Sequence, residues 1–192
     1  MINVKRTKTT RLCQGDIIRN VEHIEYISEK DGIIEISKIE FPLVIILTQD
    51  CDLEQDYRYR KRNSENKDKL LISVLVAPLY NSEHIFSGEH LSELHINSQY
   101  IKKTGTKGKL IIQNQIPRYH YIHFPEKIDI VSSIIDFKHY FSVNTDYLKK
   151  LKRTNFVCMV SELYRESIST RFAFFLSRIG LPDINKHIKI GV

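Results

Sequence analysis

The chain has 192 residues, 42% hydrophobic and 27% charged, with a formal charge of +6 and a pI near 9.1. These values suit a globular protein with one sizeable core and exclude a fibrous or wholly disordered chain. The three cysteines, Cys13, Cys51 and Cys158, have no CxxC spacing, which excludes a disulfide framework and a zinc ribbon.

The opening MINVKRTKTT lacks the apolar core of a signal peptide, and no run approaches the ~18 apolar residues of a membrane span. A cytoplasmic protein with reduced thiols, no membrane partner and no cofactor is expected.

In chain order, residues 1–11 are a basic lead-in and Gly15-Asp16 turns into the apolar pair Ile17-Ile18. His23–Ser28 alternates, Lys30-Asp31-Gly32 is a hairpin turn signal, and Ile33–Ile39 alternates again. Leu43–Leu47, preceded by Pro42, reads as a strand buried on both faces. Three or four short strands are therefore expected in the first 50 residues. Gln55–Lys69 is charged and free of aliphatics, which predicts a long loop.

Leu70–Pro78 predicts a second buried strand ended by Pro78. Asn81–Leu94 is weakly helical and interrupted by Gly88, and Lys102–Lys109 predicts a Gly- and Lys-rich loop. Strands follow at Arg118–Phe124 and Ile130–Phe137, then a short helix from an Asn144 or Thr145 N-cap through Leu151, and an extended Phe156–Val160. The clearest helix is Ser161–Ile179. Tyr164, Ile168, Phe172, Phe175, Leu176 and Ile179 form its apolar stripe, and Arg178, Gly180 and Pro182 supply stop signals. The organisation is one domain over 1–192: core strands in 12–80, a mixed insertion with further strands in 81–160, and the C-terminal helix in 161–180.

The polar hook Thr48-Gln49-Asp50-Cys51-Asp52 closes the strand from Leu43. Two acids beside a thiol raise its pKa, which disfavours a nucleophile. On extended backbone Asp50 and Asp52 share one face and Cys51 takes the other. The hook is then either a site or a turn in which Cys51 is buried and the acids cap the backbone or pair with arginine. Arg165 falls inside the apolar stripe of the last helix and needs such a partner, with Asp50, Asp52, Asp16 and Asp136 as the candidates.

His120 and His123 point to opposite strand faces, and His84, His90 and His95 lack helical ligand spacing, so no metal site is expected. Basic residues group as Lys5, Arg6, Lys8 and Arg11; Arg58, Arg60, Lys61 and Arg62; Lys102, Lys103, Lys107 and Lys109; and Lys149, Lys150, Lys152 and Arg153. Such groups either line a nucleic-acid track or are solvated loops.

The order QGDI, PLVIILTQDCDL, LLISVLVAPL resembles the small SH3-like barrel of the MazF/PemK-type toxins across residues 12–80. The resemblance implies a β-rich α+β fold: an SH3-like barrel with helical insertions and a packed C-terminal helix. Those ribonucleases use an Arg before the second pattern and a Thr or Ser after the third. Here Glu40-Phe41 and Leu79-Tyr80 stand there, so no catalytic residue carries over. LTQDCDL, RYHYI, SIIDF and the RFAFFLSRIGLP segment also resemble a group of uncharacterised bacterial proteins, which implies an accessory of defence or toxin–antitoxin-like modules.

The function expected is a non-enzymatic binding module for nucleic acid or a protein partner. Its binding residues would be Arg58, Arg60, Arg62, Lys102, Lys103, Lys107, Lys109 and Arg165. The alternative is a divergent ribonuclease using Asp50 or Asp52 with Arg118 or His120.

Overall fold

The computed structural model describes residues 2–61 and 67–178. Arg62, Ile179, Gly180 and Pro182, singled out above, lie outside them. In chain order the strands are β1 (Val4–Lys5), β2 (Asp16–Lys30), β3 (Ile33–Ile46), β4 (Ser73–Asn81), β5 (Tyr119–Ile122), β6 (Ser133–Asp136), β7 (Phe141–Asn144) and β8 (Phe156–Val160). The helices are α1 (Asp50–Arg60), α2 (Ser82–Ser87), α3 (Thr106–Ile112), α4 (Thr145–Asn155) and α5 (Glu162–Leu176). The protein is mixed α+β, with a curled antiparallel sheet in the order β1-β8-β2-β3-β4-β6-β5 and β7 beside β4.

Instead of several short strands, β2 and β3 form one long hairpin. Its turn is Asp31-Gly32, whose φ values of 53° and 77° are the left-handed pair a two-residue turn requires. The inner end of the hairpin is a core wall. Ile17 and Ile45 face one cluster that includes Phe137, Val160 and α5's Ile168 and Phe172, while Ile18, Val44 and Ile46 face another with Leu53 and Leu148. The expected burial of the Leu43 strand on both faces is thus found at Val44–Ile46, all at most 1% exposed.

Beyond Val21 and Phe41 the hairpin leaves the body. Ile24, Ile27, Ile33, Ile34 and Ile36 are each more than half exposed on this ribbon.

Strand β4 runs through Pro78 to Asn81, where an end at Pro78 was expected. On one edge its partner is interrupted. β6 pairs with Leu79–Asn81 and β7 with Ser73–Val76, and the chain between them bulges out opposite Ala77 and Pro78. Pro78 has no N–H to offer a ladder, so the break falls where it costs least. The bulge carries Asp136, Phe137 and His139.

Two expected loops are helical in part, the first over residues 55–60, with residues 62–66 outside the described ones, and the second from Thr106. Asp50 and Asp52 open α1 and Arg58 and Arg60 close it, matching the helix dipole, with Arg58–Glu54 and Arg60–Asp56 pairs at i,i+4. Lys102–Lys109 leads into α3, where Gly108 lies so close to the Lys102 and Lys103 carbonyls that a Cβ would stand 2.5 Å from each. Helix α4 is N-capped by Asn144, whose Oδ1 accepts from the Asp146 and Tyr147 amides at 3.0 Å, and it runs to Asn155, past the expected Leu151. On α5 the predicted stripe is buried at Ile168, Phe172 and Phe175, whereas Tyr164 and Leu176 are exposed at 37% and 51%.

Candidate functional site

Because α1 begins at Asp50, the hook is a helical turn and its alternation is lost. Cys51 is exposed, contrary to the buried position expected, and Asp52 is exposed beside it. Asp50 turns inward: Arg11 grips it from Nη1 (3.0 Å) and Nη2 (2.8 Å), and the Gln14 amide donates at 3.1 Å. Arg165 Nη1 lies 3.5 Å from the same carboxylate, which ties α5 to the start of α1.

Burial alone would raise the Asp50 carboxyl. Arg11, the Gln14 amide and Arg165 outweigh it and hold the group below its ordinary value. Its contribution to stability is present above the unfolded carboxylate range and is lost as pH falls through the lowered folded value. Arg165→Met is expected to cost about 1 kcal/mol and Arg11→Met, which removes both hydrogen bonds to Asp50 and one to the Leu12 carbonyl, about 2 kcal/mol. Urea unfolding measures both, and a fully stable Arg165→Met protein would show that this ion pair holds nothing. Gly15 allows the close approach. Its φ is +80°, and a Cβ there would meet the Val160 and Arg165 Cβ atoms at 3.2 and 3.3 Å.

The candidate residues do not share a cleft. Asp52 borders a shallow one with Asp68 and Leu70, and Arg165 borders another with Gly15 and Ile168. Arg118 holds Asp136, its Nε 2.8 Å from Oδ1. His120 is buried against Phe137, with ring centroids 6.3 Å apart and no hydrogen-bond partner for Nδ1. Burial, with Arg171 adding to it, pushes its pKa down to about 4.

Among the binding candidates, Arg58 pairs with Glu54 on the outside of α1. Lys103 reaches Glu83 near α2, and Lys102, Lys107 and Lys109 are exposed around the start of α3. Of the described members of this set, only Arg60 lines a basic groove.

That groove, about 460 Å³, draws on three of the four basic groups: Lys8 from the lead-in, Arg60 and Lys61 from the end of α1, and Lys149, Lys152 and Arg153 from α4. Their roles differ. Lys152 is buried and bound to Asp16 at 2.6 Å. Arg60 and Lys149 converge on Asp56, at 2.8 and 2.7 Å, and the Leu71 amide donates to the same carboxylate at 2.9 Å.

Burial would raise the Asp56 carboxyl, but Lys149, the Leu71 amide and Arg60 bring it below its ordinary value. These groups build the groove. Lys8, whose Nζ donates to the Arg153 carbonyl at 2.7 Å, Lys61, over the Tyr57 ring at 4.3 Å, and Arg153 have no carboxylate partner among the described residues. Asp56 went unnoticed in the sequence because its segment was read as a loop; the Asp56–Arg60 spacing was the available signal.

A second constellation lies at the β6–β7 bulge. Asp136 Oδ2 is 3.5 Å from His139 Nδ1 and 4.0 Å from His90 Nε2, and the Tyr80 hydroxyl is 3.3 Å from His139 Nδ1. The His90 side chain is only 1% exposed, and neither ring nitrogen has a hydrogen-bond partner. Burial pushes its pKa down to about 4, with Asp136 and a weak interaction with the His84 backbone opposing and His139 and Arg118 adding; burial also lowers His139 and raises Tyr80. His90 and Tyr80 form part of the wall of a cleft of about 560 Å³, which also takes in Glu40, Glu89 and Glu93 and no lysine or arginine.

Compared with protein-family models, with curated proteins and with solved structures, the chain matches none.

Proposed function

We propose that the protein is a binding module whose α1–α4 groove takes the phosphate backbone of a nucleic acid. The supporting observation is convergence: residues as far apart in sequence as Lys8, Lys61 and Arg153 meet at one groove, and none of the three has a carboxylate partner among the described residues. Scattered solvated lysines would have no reason to gather around a scaffold of neutralised cations. Phosphate contacts release counterions, so three contacts give a log–log salt slope of about −2 to −3, or a roughly 15–60-fold affinity loss between 50 and 200 mM salt.

Fluorescence anisotropy with RNA and DNA oligonucleotides measures this. The triple variant Lys8→Gln/Lys61→Gln/Arg153→Gln should bring the slope close to zero. Salt-insensitive binding, or none, would overturn the reading.

A protein partner is favoured by a separate feature, the hairpin ribbon. Residues 21–41 hold six acids against two lysines in a chain of net charge +6, and register places Ile24, Ile27, Ile34 and Ile36 on one face. An acidic, apolar arm repels phosphate and suits a basic protein surface.

The SH3-like, MazF/PemK-type barrel belongs to this proposal and is supported by the three family-like segments lying side by side as β2, β3 and β4. The association with bacterial defence modules rests on the sequence resemblance alone.

A further inference from the structure

We propose that His90 Nε2, His139 Nδ1 and Asp136 Oδ2 bind one divalent transition-metal ion of the zinc type, leaving a coordination position towards the neighbouring cleft. The donors fit in kind, since two imidazoles and a carboxylate suit zinc, iron or nickel better than magnesium or calcium.

They also fit in space. Metal–ligand bonds of roughly 2.0–2.2 Å put neighbouring tetrahedral ligands about 3.3–3.5 Å apart. Asp136 Oδ2 and His139 Nδ1 are 3.5 Å apart, Asp136 Oδ2 and His90 Nε2 4.0 Å, and all three atoms lie within 4.8 Å of one another. Closure therefore asks for little at Asp136 and for at most about 1.5 Å between the two imidazoles, which two side-chain rotations can share.

The independent observation is His90. A buried imidazole loses its hydrogen bonds to water and must regain them, yet neither nitrogen has a hydrogen bond of ordinary length and angle, the His84 backbone being only a weak neighbour. A metal on Nε2 supplies the missing interaction. Among the described residues, the other buried histidine without a partner at Nδ1, His120, sits against Phe137 and Arg171 with no carboxylate to share a metal with.

Arg118 does not block the site. Its Nε lies 2.8 Å from Oδ1 and 3.0 Å from Oδ2, and its Nη2 also donates to Oδ2, so a metal on Oδ2 takes the place of the longer Nε contact while Arg118 keeps orienting the carboxylate as an outer-shell partner. The Lys138 amide, 3.0 Å from Oδ1, adds to that orientation. Glu40, Glu89 and Glu93 at the cleft favour a cation's approach over that of a phosphate. The site thus differs in charge from the α1–α4 groove and does not depend on the nucleic-acid reading.

Titration calorimetry of the chelator-treated full chain with zinc chloride tests the proposal. One saturable site is expected, and its absence overturns the assignment. His90→Gln and His139→Gln should each weaken binding by more than the roughly 10–100-fold typical of outer-shell losses, while His95→Gln at an exposed position should not. Either ligand variant binding zinc as tightly as wild type overturns the site. If circular dichroism shows a ligand variant to be unfolded, cobalt(II) in the wild-type protein decides. The intense visible bands of four- or five-coordinate cobalt support the site, and a weak six-coordinate spectrum overturns it.

Discussion

Lys152→Met is expected to destabilise the protein by about 3–5 kcal/mol at pH 7, because it leaves a buried carboxylate without its countercharge. Asp16 is 0% exposed, and Lys152 Nζ is 2.6 Å from its Oδ2 and bonds also to Thr9 Oγ1 and the Arg11 carbonyl. The Cys13 amide, at 2.7 Å from Oδ2, would then be its remaining strong partner, since Oδ1 has none. Even in the intact pair burial outweighs Lys152 and the Cys13 amide, so the Asp16 pKa is raised.

A carboxyl raised on folding takes up protons more readily in the native state, so its ionisation weakens stability as pH climbs from the unfolded to the folded value. The variant's deficit is therefore largest at neutral pH and smaller near pH 4. Asp16→Asn/Lys152→Met should recover part of the loss, because neither charge remains. Urea unfolding at both pH values measures all three proteins; a deficit that is small, or that grows towards acid, would refute the account.

Phe137→Ala is expected to cost about 3–5 kcal/mol, or roughly 6–20 °C in melting temperature for a chain of this length. The ring is fully buried and meets Phe172 at 5.4 Å and Phe175 at 6.0 Å between centroids. Together with Tyr140, whose ring lies 5.2 Å from Phe172, it joins the β6–β7 bulge to α5, so its removal opens a cavity whose walls belong to two elements. Calorimetry gives the stability. Hydrogen exchange should show α5 losing protection before β2 and β3; uniform loss would mean that the ring does not serve as this anchor.

What could be read from the sequence follows the reach of each signal. Alternating and continuous apolar runs located β2, β3, β4 and β8, and the stripe of α5 was correct at Ile168, Phe172 and Phe175. Helix α1 escaped because only Leu53 and Asp56 are buried along it. Its evidence was electrostatic, in the order of its acids and bases, and apolar periodicity is blind to that.

Arg165's need of an acid was visible, and Asp50 was among the four candidates. Arg11 as the stronger partner was not, since no local pattern joins residues 39 apart. The His90, Asp136 and His139 cluster was invisible for a similar reason. One ligand follows α2, one ends β6 and one lies in the turn after it, so their spacing matches no single-element template.

The position of β8 between β1 and β2 has a consequence for the order in which the chain can be completed during synthesis. Ile17 and Ile18 at the inner end of β2 can already be ladder-paired with β3 when some 50 residues exist, but the other edge of Asp16–Ile18 is filled only by Phe156–Met159. At ribosomal rates of about 5–20 residues per second, that edge stands open for on the order of ten seconds. An open apolar edge invites pairing with another chain, and an acid placed on it is a standard deterrent. Asp16 occupies that edge, and its neutralising partner Lys152 is made only about four residues before β8 begins. The charge that burdens the finished core thus guards the growing sheet until the strand that covers it arrives.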